Sequence, residues 1–225
     1  IQGSMTVEEQ NALGSQGLFG RVYGTRQNNV TIKNLGVIDS YIQGYQNIGG
    51  IVGFCDYSTI KNCYFSGVVL GERDEVGGIA GSGDNIINCY NTGSVKGHQD
   101  VGGVVGYASG DIRNVYNTGS VSGRGNYVGG IIGRMYRYSS LRNSYNTGAV
   151  TGANYFGGVV GSAGFAIVYE TYFGGDCNAA KGIGEGYGTA TRITDPVEEW
   201  AKNKAWYLDP SNWNSEYPWD FENVW

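Results

Sequence analysis

His98 is the only imidazole in this 225-residue chain, and it lies in a variable loop, Gly97-His-Gln-Asp100. A Ser-His-Asp or Cys-His nucleophile would depend on it, yet nothing in the surrounding sequence supplies its partners. A solvated loop histidine is the better reading. The recurring Gly-Gly-x-x-Gly runs are not phosphate cradles, because they precede neither a helix nor a Lys-Ser/Thr pair. Paired carboxylates are the remaining route to catalysis. Asp74, Glu75 and Asp100 fall at one variable corner, where Glu75 and Asp100 would sit near the ~5 Å separation of a retaining glycosidase pair. That is the alternative reading: a polysaccharide-active lyase or hydrolase working on an outer face. No regular acidic repeat supports a calcium site at these three acids. No cysteine belongs to a C-x-x-C pair and no histidine stands at ligand spacing. Neither a metal nor a cofactor is expected.

Binding is the preferred chemistry. The longest variable loop is Arg134-Met-Tyr-Arg-Tyr-Ser-Ser140, and Arg134, Tyr136, Arg137 and Tyr138 are its candidate contact residues. Tyr107 and Tyr57 open the equivalent loops of earlier copies. Aromatic faces beside guanidinium groups or carboxylates suit sugar stacking and protein contacts. Insertions in a repeat array gather on one face, often the binding face. A host glycan or an extracellular protein is the expected partner.

The elements that must position these residues are copies of one stretch. Val101-Gly-Gly-Val-Val-Gly106, a loop, and Ile112-Arg-Asn-Val-Tyr-Asn-Thr-Gly-Ser-Val-Ser-Gly123 recur along the chain. Gly49, Gly77, Gly102, Gly129 and Gly157 are spaced by 28, 25, 27 and 28 residues. A period in this range marks a solenoid, whose coils bury their apolar faces only against neighbours. Three short strands per coil predict a triangular coil in which each face is a parallel sheet running along the axis. Ile51, Ile79, Val104, Ile131 and Val159 would stack as one interior ladder, and Ile60, Ile86, Ile112 and Leu141 as another. Asn34, Asn62, Asn88, Asn114 and Asn143 would form an amide ladder at a corner. Tyr64, Tyr90, Tyr116, Tyr145 and Tyr172 would stack too, either inward or along an outer face. Cys63 and Cys89 fall on adjacent coils within disulfide range. A ladder of small residues that tolerates cysteine is the preferred reading there.

The ends depart from the repeat. Residues 1–16 are expected to be an N-terminal cap or a divergent first coil, with a capping-box pattern at Thr6-Val-Glu-Glu9. The solenoid should run over residues 17–188. Residues 189–225 read as a capping segment: Asp195 and Pro196 start a short helix, and all five tryptophans follow from Trp200. This tail would cover the open edge of the last coil.

Composition agrees. Glycine is 40 of 225 residues against a usual ~7%, and with three prolines and no Gly-X-Y period collagen is excluded. A net charge of −5 argues against nucleic acid. No apolar run approaches the ~20 residues of a membrane span, so no direct insertion is expected. A start at Ile1 without a signal-peptide pattern reads as a mature chain or an excised fragment, with neighbouring domains of the same parent chain as further partners.

Gly17-Leu-Phe-Gly20, Gly50-Ile-Val-Gly53 and their copies, followed in most of them by Asn-x-Tyr and in the later ones by Asn-Thr-Gly, resemble the GLUG-motif repeats of bacterial secreted and surface proteins. These include non-catalytic repeat regions of immunoglobulin A-specific metallopeptidases and proteins assigned as adhesins. The closing Trp219-Asp-Phe-Glu-Asn-Val-Trp225 is similar to segments that end such arrays. The resemblance implies an all-β fold, a right-handed parallel β-helix or filamentous-haemagglutinin-like β-solenoid, at the bacterial surface or secreted from it, serving as an adhesin-type binding or spacer module. It carries over no catalytic residue, and the peptidase zinc signature His-Glu-x-x-His is absent.

Overall fold

A computed structural model of the chain describes residues 14–194, 200–202, 204–213 and 219. Over these residues the expected parallel β-solenoid is present. A seven-stranded sheet takes one strand per coil, from Phe19–Tyr23 through Val52–Asp56, Ala80–Gly83, Val105–Ala108, Ile132–Met135 and Val160–Ser162 to Ile183–Glu185. A five-stranded sheet stacks Ile48–Gly49, Val76–Gly77, Val101–Gly102, Asn126–Gly129 and Asn154–Gly157. The third sheet, of eleven strands, holds the Ile-x-Asn-x-Tyr segments. Pairing is parallel and in the register of the repeat: Val101 opposes Val76 and Val128, and Ile112 opposes Ile86 and Leu141. The Val-Gly-Gly-Val-Val-Gly stretch is shared between two sheets, with Val101–Gly102 in the five-stranded one and Val105–Ala108 in the seven-stranded one.

Equivalent residues therefore stack, and the interior ladders are dry. Ile51, Ile79, Val104, Ile131 and Val159 have no solvent exposure, nor do Ile60, Ile86, Ile112 and Leu141. Cys55, Cys63, Cys89 and Cys177 are buried free thiols. Cys63 and Cys89 each donate to the carbonyl two residues back, Lys61 O and Ile87 O, both at 3.2 Å.

The asparagine ladder exists, and it does two things. Asn62 Nδ2 donates to Asn34 Oδ1 at 3.1 Å, Asn88 to Asn62 at 3.2 Å and Asn114 to Asn88 at 3.1 Å. All five asparagines also have left-handed backbones, with φ between 48° and 57°. Asparagine is among the few L-residues that tolerate this region. The side chain and the backbone thus ask for the same residue at this corner.

A second amide column is fully buried and was not anticipated. Asn91 Nδ2 donates to Asn117 Oδ1, and Asn117 Nδ2 to Asn146 Oδ1, both at 2.8 Å. Each amide also clasps the residue two positions on: Asn117 accepts from Gly119 N and donates to Gly119 O. This local turn competes with a strand. Where Phe65 takes the place, Ser58–Gly71 is one continuous strand; where asparagine does, it breaks into Asn85–Asn91 and Ser94–Gly97. The column also explains the doubled glycine. A Cβ on Gly103 would lie within 3.0 Å of the Asn117 side chain and of Gly130 O.

The tyrosines stack on the outside. Tyr64, Tyr90, Tyr116 and Tyr145 have centroid spacings of 5.0, 4.8 and 4.9 Å and nearly parallel rings. The described part of the tail meets this stack. Trp200, Tyr207 and Trp219 pack around Tyr145, while Trp206 and Trp213 meet Tyr172 edge-on. What these tryptophans cover is thus the outer flank of the last coils. A helix spans Lys204–Leu208. The helix start expected at Asp195 and the capping box at Thr6 lie outside the described residues. Gln16 already pairs with Ile48 and belongs to the first coil.

The two amide columns should respond differently to truncation. Asn117→Ala orphans the N–H and C=O of Gly119 as well as two neighbouring amides in a dry interior, at roughly 1–3 kcal/mol per group. Asn88→Ala, at a partly hydrated corner, should destabilise by about 1–2 kcal/mol. Urea unfolding of both variants checks this, and an unchanged midpoint for either would remove that column from the stabilising set.

Candidate functional site

A second corner, immediately before each Val-Gly-Gly, also has left-handed backbones. Its residues are Asn47, Glu75, Asp100, Tyr127 and Tyr155, with φ from 48° to 62°. Asn47 and Asp100 are types that this conformation tolerates; for glutamate and tyrosine it is strained. The final glycine of each motif sets where this corner lies. A Cβ on Gly133 would be within 3.0 Å of the Asp100 carbonyl carbon and of Val101 N. The corner of one coil therefore rests on the strand of the next, and Asp100 lands beside Arg134, the neighbour of Gly133.

The result is a compact polar and aromatic cluster. Arg134 Nη2 meets Asp100 Oδ2 at 2.8 Å. The Arg134 guanidinium lies 5.2 Å from the Tyr107 ring centroid and 5.5 Å from that of Tyr127, within cation–π range. Tyr107 and Arg134 are register partners, so the contact follows from stacking. Tyr136 reaches Tyr107 at 6.4 Å, and Tyr155 stacks on Tyr127 at 5.6 Å. Alongside, Asp74 accepts from Gln99 Nε2 at 3.1 Å and meets His98 Nδ1 at 3.3 Å.

The electrostatics are those of a desolvated pair. The Asp100 side chain is 1% exposed, and its Oδ1 has no hydrogen-bond partner, nor does Arg134 Nε. Burial pushes the Asp100 carboxyl up to about 7, against the pull of Arg134 and with a further push from Glu75 and Asp74. Glu75 is raised for the same first reason, burial, with Arg134 opposing. Asp100 is closed off by the pair it makes, so Glu75 and Asp100 do not face an open groove together. The hydrolase geometry wants both carboxylates accessible to one sugar.

The sequence-derived residues thus separate. Tyr107, Arg134 and Tyr136 come together, and they join Asp74, Glu75 and Asp100, which had been assigned to a different corner site. Tyr138 and Arg137 are exposed on the loop beyond. Tyr57 sits in an earlier coil and its hydroxyl accepts from Arg26 Nε at 3.4 Å. Tyr127 is a member that sequence reasoning passed over, although it falls at the Glu75 and Asp100 position of the repeat. Among the described residues no His, Cys, Asp and Glu group is arranged to hold a metal.

The repeats can be compared with known proteins. A family model described as the GLUG motif matches residues 44–70, 97–122 and 124–151. The chain carries GLUG-motif repeats. Each matched GLUG repeat spans close to one coil, and Asp100, Tyr107, Tyr127 and Arg134 all lie within the second and third. A crystal structure described as a "putative immunoglobulin A1 protease from Bacteroides ovatus" is similar, with a TM-score of 0.60 and 23% identity. The match covers 78% of this chain and 66% of that one, so the GLUG-repeat chain spans just under two thirds of that protein's length. The likeness is one of fold. No curated protein matches the sequence.

The Asp100 environment makes a pH prediction. Folded, Asp100 keeps its proton to about pH 7; unfolded, it releases it near 3.8. Between these values the folded chain binds the extra proton, so this group makes stability fall as pH rises, by at most about 1.4 kcal/mol per pH unit. Above pH 7 the loss is complete. Asp100→Asn cannot ionise and should remove that part of the slope. Unfolding free energies of both proteins from pH 4.5 to 8 test it, and a constant offset across the range would overturn the assignment.

Proposed function

We propose that this chain is a non-catalytic, adhesin-type binding module of a larger bacterial protein, secreted or held at the cell surface, and that its ligand face is the corner built from Tyr107, Tyr127, Arg134 and Tyr136. One observation carries the reading. At the asparagine corner, five successive coils, Asn34 to Asn143, meet the left-handed backbone with asparagine, and only the last described coil has a glutamate there, Glu170; at the other corner the same strain is borne by Glu75, Tyr127 and Tyr155 in three of five coils. Residues kept where the backbone disfavours them are kept for their side chains. They surround a guanidinium flanked by rings, beside the exposed Tyr136, Tyr138 and Tyr155. Such a surface offers flat faces for sugar rings or apolar side chains, with Arg134 as a fixed polar centre.

GLUG repeats and the fold of the Bacteroides neighbour support the placement in a larger bacterial protein. A host glycan or extracellular protein remains the expected partner. The burial of Asp100 weighs against the polysaccharide-cleaving alternative, because a carboxylate sealed against Arg134 cannot reach a glycosidic bond without breaking that pair.

A glycan and host-matrix array with the purified chain tests the reading, beside a Tyr136→Ala/Tyr138→Ala variant. The expected result is a ligand whose affinity drops at least tenfold in the variant while its thermal unfolding is unchanged. Binding retained by the variant would move the site off this corner. Silence of the wild type across the array would favour a passive spacer.

A further inference from the structure

Around the edge from the aromatic corner, the outer side of the third sheet carries a groove of about 780 Å³. Its floor is a register column: Gln43 opposes Leu70, Leu70 opposes Lys96, and Lys96 opposes Ser122. Its rim comes from the turns that follow, which contribute Tyr45, Arg73 and Arg124 with Glu72 between them. Three cations thus line one concavity, one from each of three successive coils. Coils stack ~4.8 Å apart, so the charges form a short file along the solenoid axis.

Two of these cations are held in place without being neutralised. Arg73 Nε donates to the Tyr45 hydroxyl at 3.1 Å, and its guanidinium lies 5.7 Å from the centroid of the same ring. Arg124 Nη2 donates to the backbone carbonyl of Glu72 at 3.4 Å. Three other arginines are neutralised, Arg134 by Asp100 and both Arg113 and Arg142 by Asp111, while Arg26 and Arg192 donate to neutral acceptors but stand singly; the groove differs in gathering three such cations. Among the described residues no carboxylate comes within ion-pair distance of Arg73, Lys96 or Arg124. In a chain of net charge −5, three cations against the one carboxylate of Glu72 leave this concavity net positive, with two of the cations held in place. Such a feature attracts anions and raises their local concentration.

We infer that this groove binds an extended anionic polysaccharide, carrying sulfate or carboxylate groups, laid along the solenoid axis. Charges on successive coils call for a ligand with charges at short, regular intervals on an extended backbone. Gln43, Ser122 and the Tyr45 hydroxyl offer neutral hydrogen bonds to sugar hydroxyls, and Arg73 and Arg124 offer planar forks to oxyanions. An acidic peptide is the weaker fit. Arginine clusters can read acidic motifs, but a peptide gains most of its affinity from apolar anchors as well, and Leu70 is the only aliphatic side chain in the lining. The groove is distinct from the Tyr107–Arg134 corner and stands whether or not that corner binds.

The test is a titration of the purified chain with four probes: a heparin oligosaccharide, an oligogalacturonate, a neutral dextran oligosaccharide and an oligoglutamate peptide. The expected result is at least tenfold tighter binding of one or both anionic sugars than of dextran or the peptide. The arm that binds identifies the anionic group as sulfate or carboxylate. Affinity should fall steadily with added salt as counterions are displaced. Lys96→Glu/Arg124→Glu should weaken it at least tenfold, and the milder Arg124→Gln several-fold, with unfolding midpoints near wild type. Tyr136→Ala/Tyr138→Ala should leave it unchanged, which separates this site from the aromatic corner. Absence of binding, equal affinity for dextran, equal or better affinity for oligoglutamate, or full retention by folded charge-reversed protein would each overturn the inference.

Discussion

The whole coil depends on how closely successive turns approach at the motif glycines. Three columns of glycine remove Cβ atoms at points where a methyl would strike the backbone of the neighbouring coil or a buried amide of its own. The middle column lets Asn91, Asn117 and Asn146 lie flat against the chain. The last lets a left-handed corner settle onto the next strand. Because these approaches are backbone to backbone, a change at one coil propagates to its neighbours by contact. This is the nearest-neighbour logic expected of a solenoid, given a specific atomic cause.

From that constraint follows a division of labour between the two left-handed corners. Each coil needs both turns, and each turn holds a non-glycine residue in a disfavoured region. At the first, asparagine satisfies backbone preference and inter-coil hydrogen bonding together, so the position is fully used by the fold. At the second, the next coil's glycine supplies the support, and the side chain is left unassigned. Glu75, Asp100, Tyr127 and Tyr155 occupy that freedom. The fold therefore generates a column of corner positions, one per coil, whose residue type varies while the apolar core ladders stay the same.

Much of the architecture was legible because in-register stacking turns sequence alignment into spatial adjacency. Aligning Ile86, Ile112 and Leu141 was enough to place one interior ladder, and aligning Asn62, Asn88 and Asn114 enough to place the corner amides. The hidden features involve contacts between different positions of the repeat. Asn91 and Asn117 carry no sequence signal of burial, since nothing in Asn-Thr-Gly says that its asparagine points into a dry interior. The meeting of Asp100 with Arg134 links a corner of one coil to a strand of the next. That offset is set by where Gly133 allows the backbone to sit. Tyr64 and its copies could not be oriented from sequence because an aromatic at a strand position fits either face. The tail decides it by packing Trp200 and Trp206 onto the outer side.

The same geometry bears on whether the corner could do chemistry. A general acid must meet its substrate, and a raised carboxyl such as Asp100 has the protonation behaviour such a role requires. Its access is another matter: the side chain is sealed, and the cation beside it is fixed between two rings. Arg134 has one buried nitrogen without a partner, and Asp100 one such oxygen, so the pair is incompletely satisfied as it stands. A buried charge pair of this kind contributes little net stability by itself. Its effect is to hold the guanidinium at a set position between Tyr107 and Tyr127, where it braces both rings. That is the organisation of a rigid recognition surface, in which order is built in before the ligand arrives. A reaction centre would instead need the carboxylate free to move a proton.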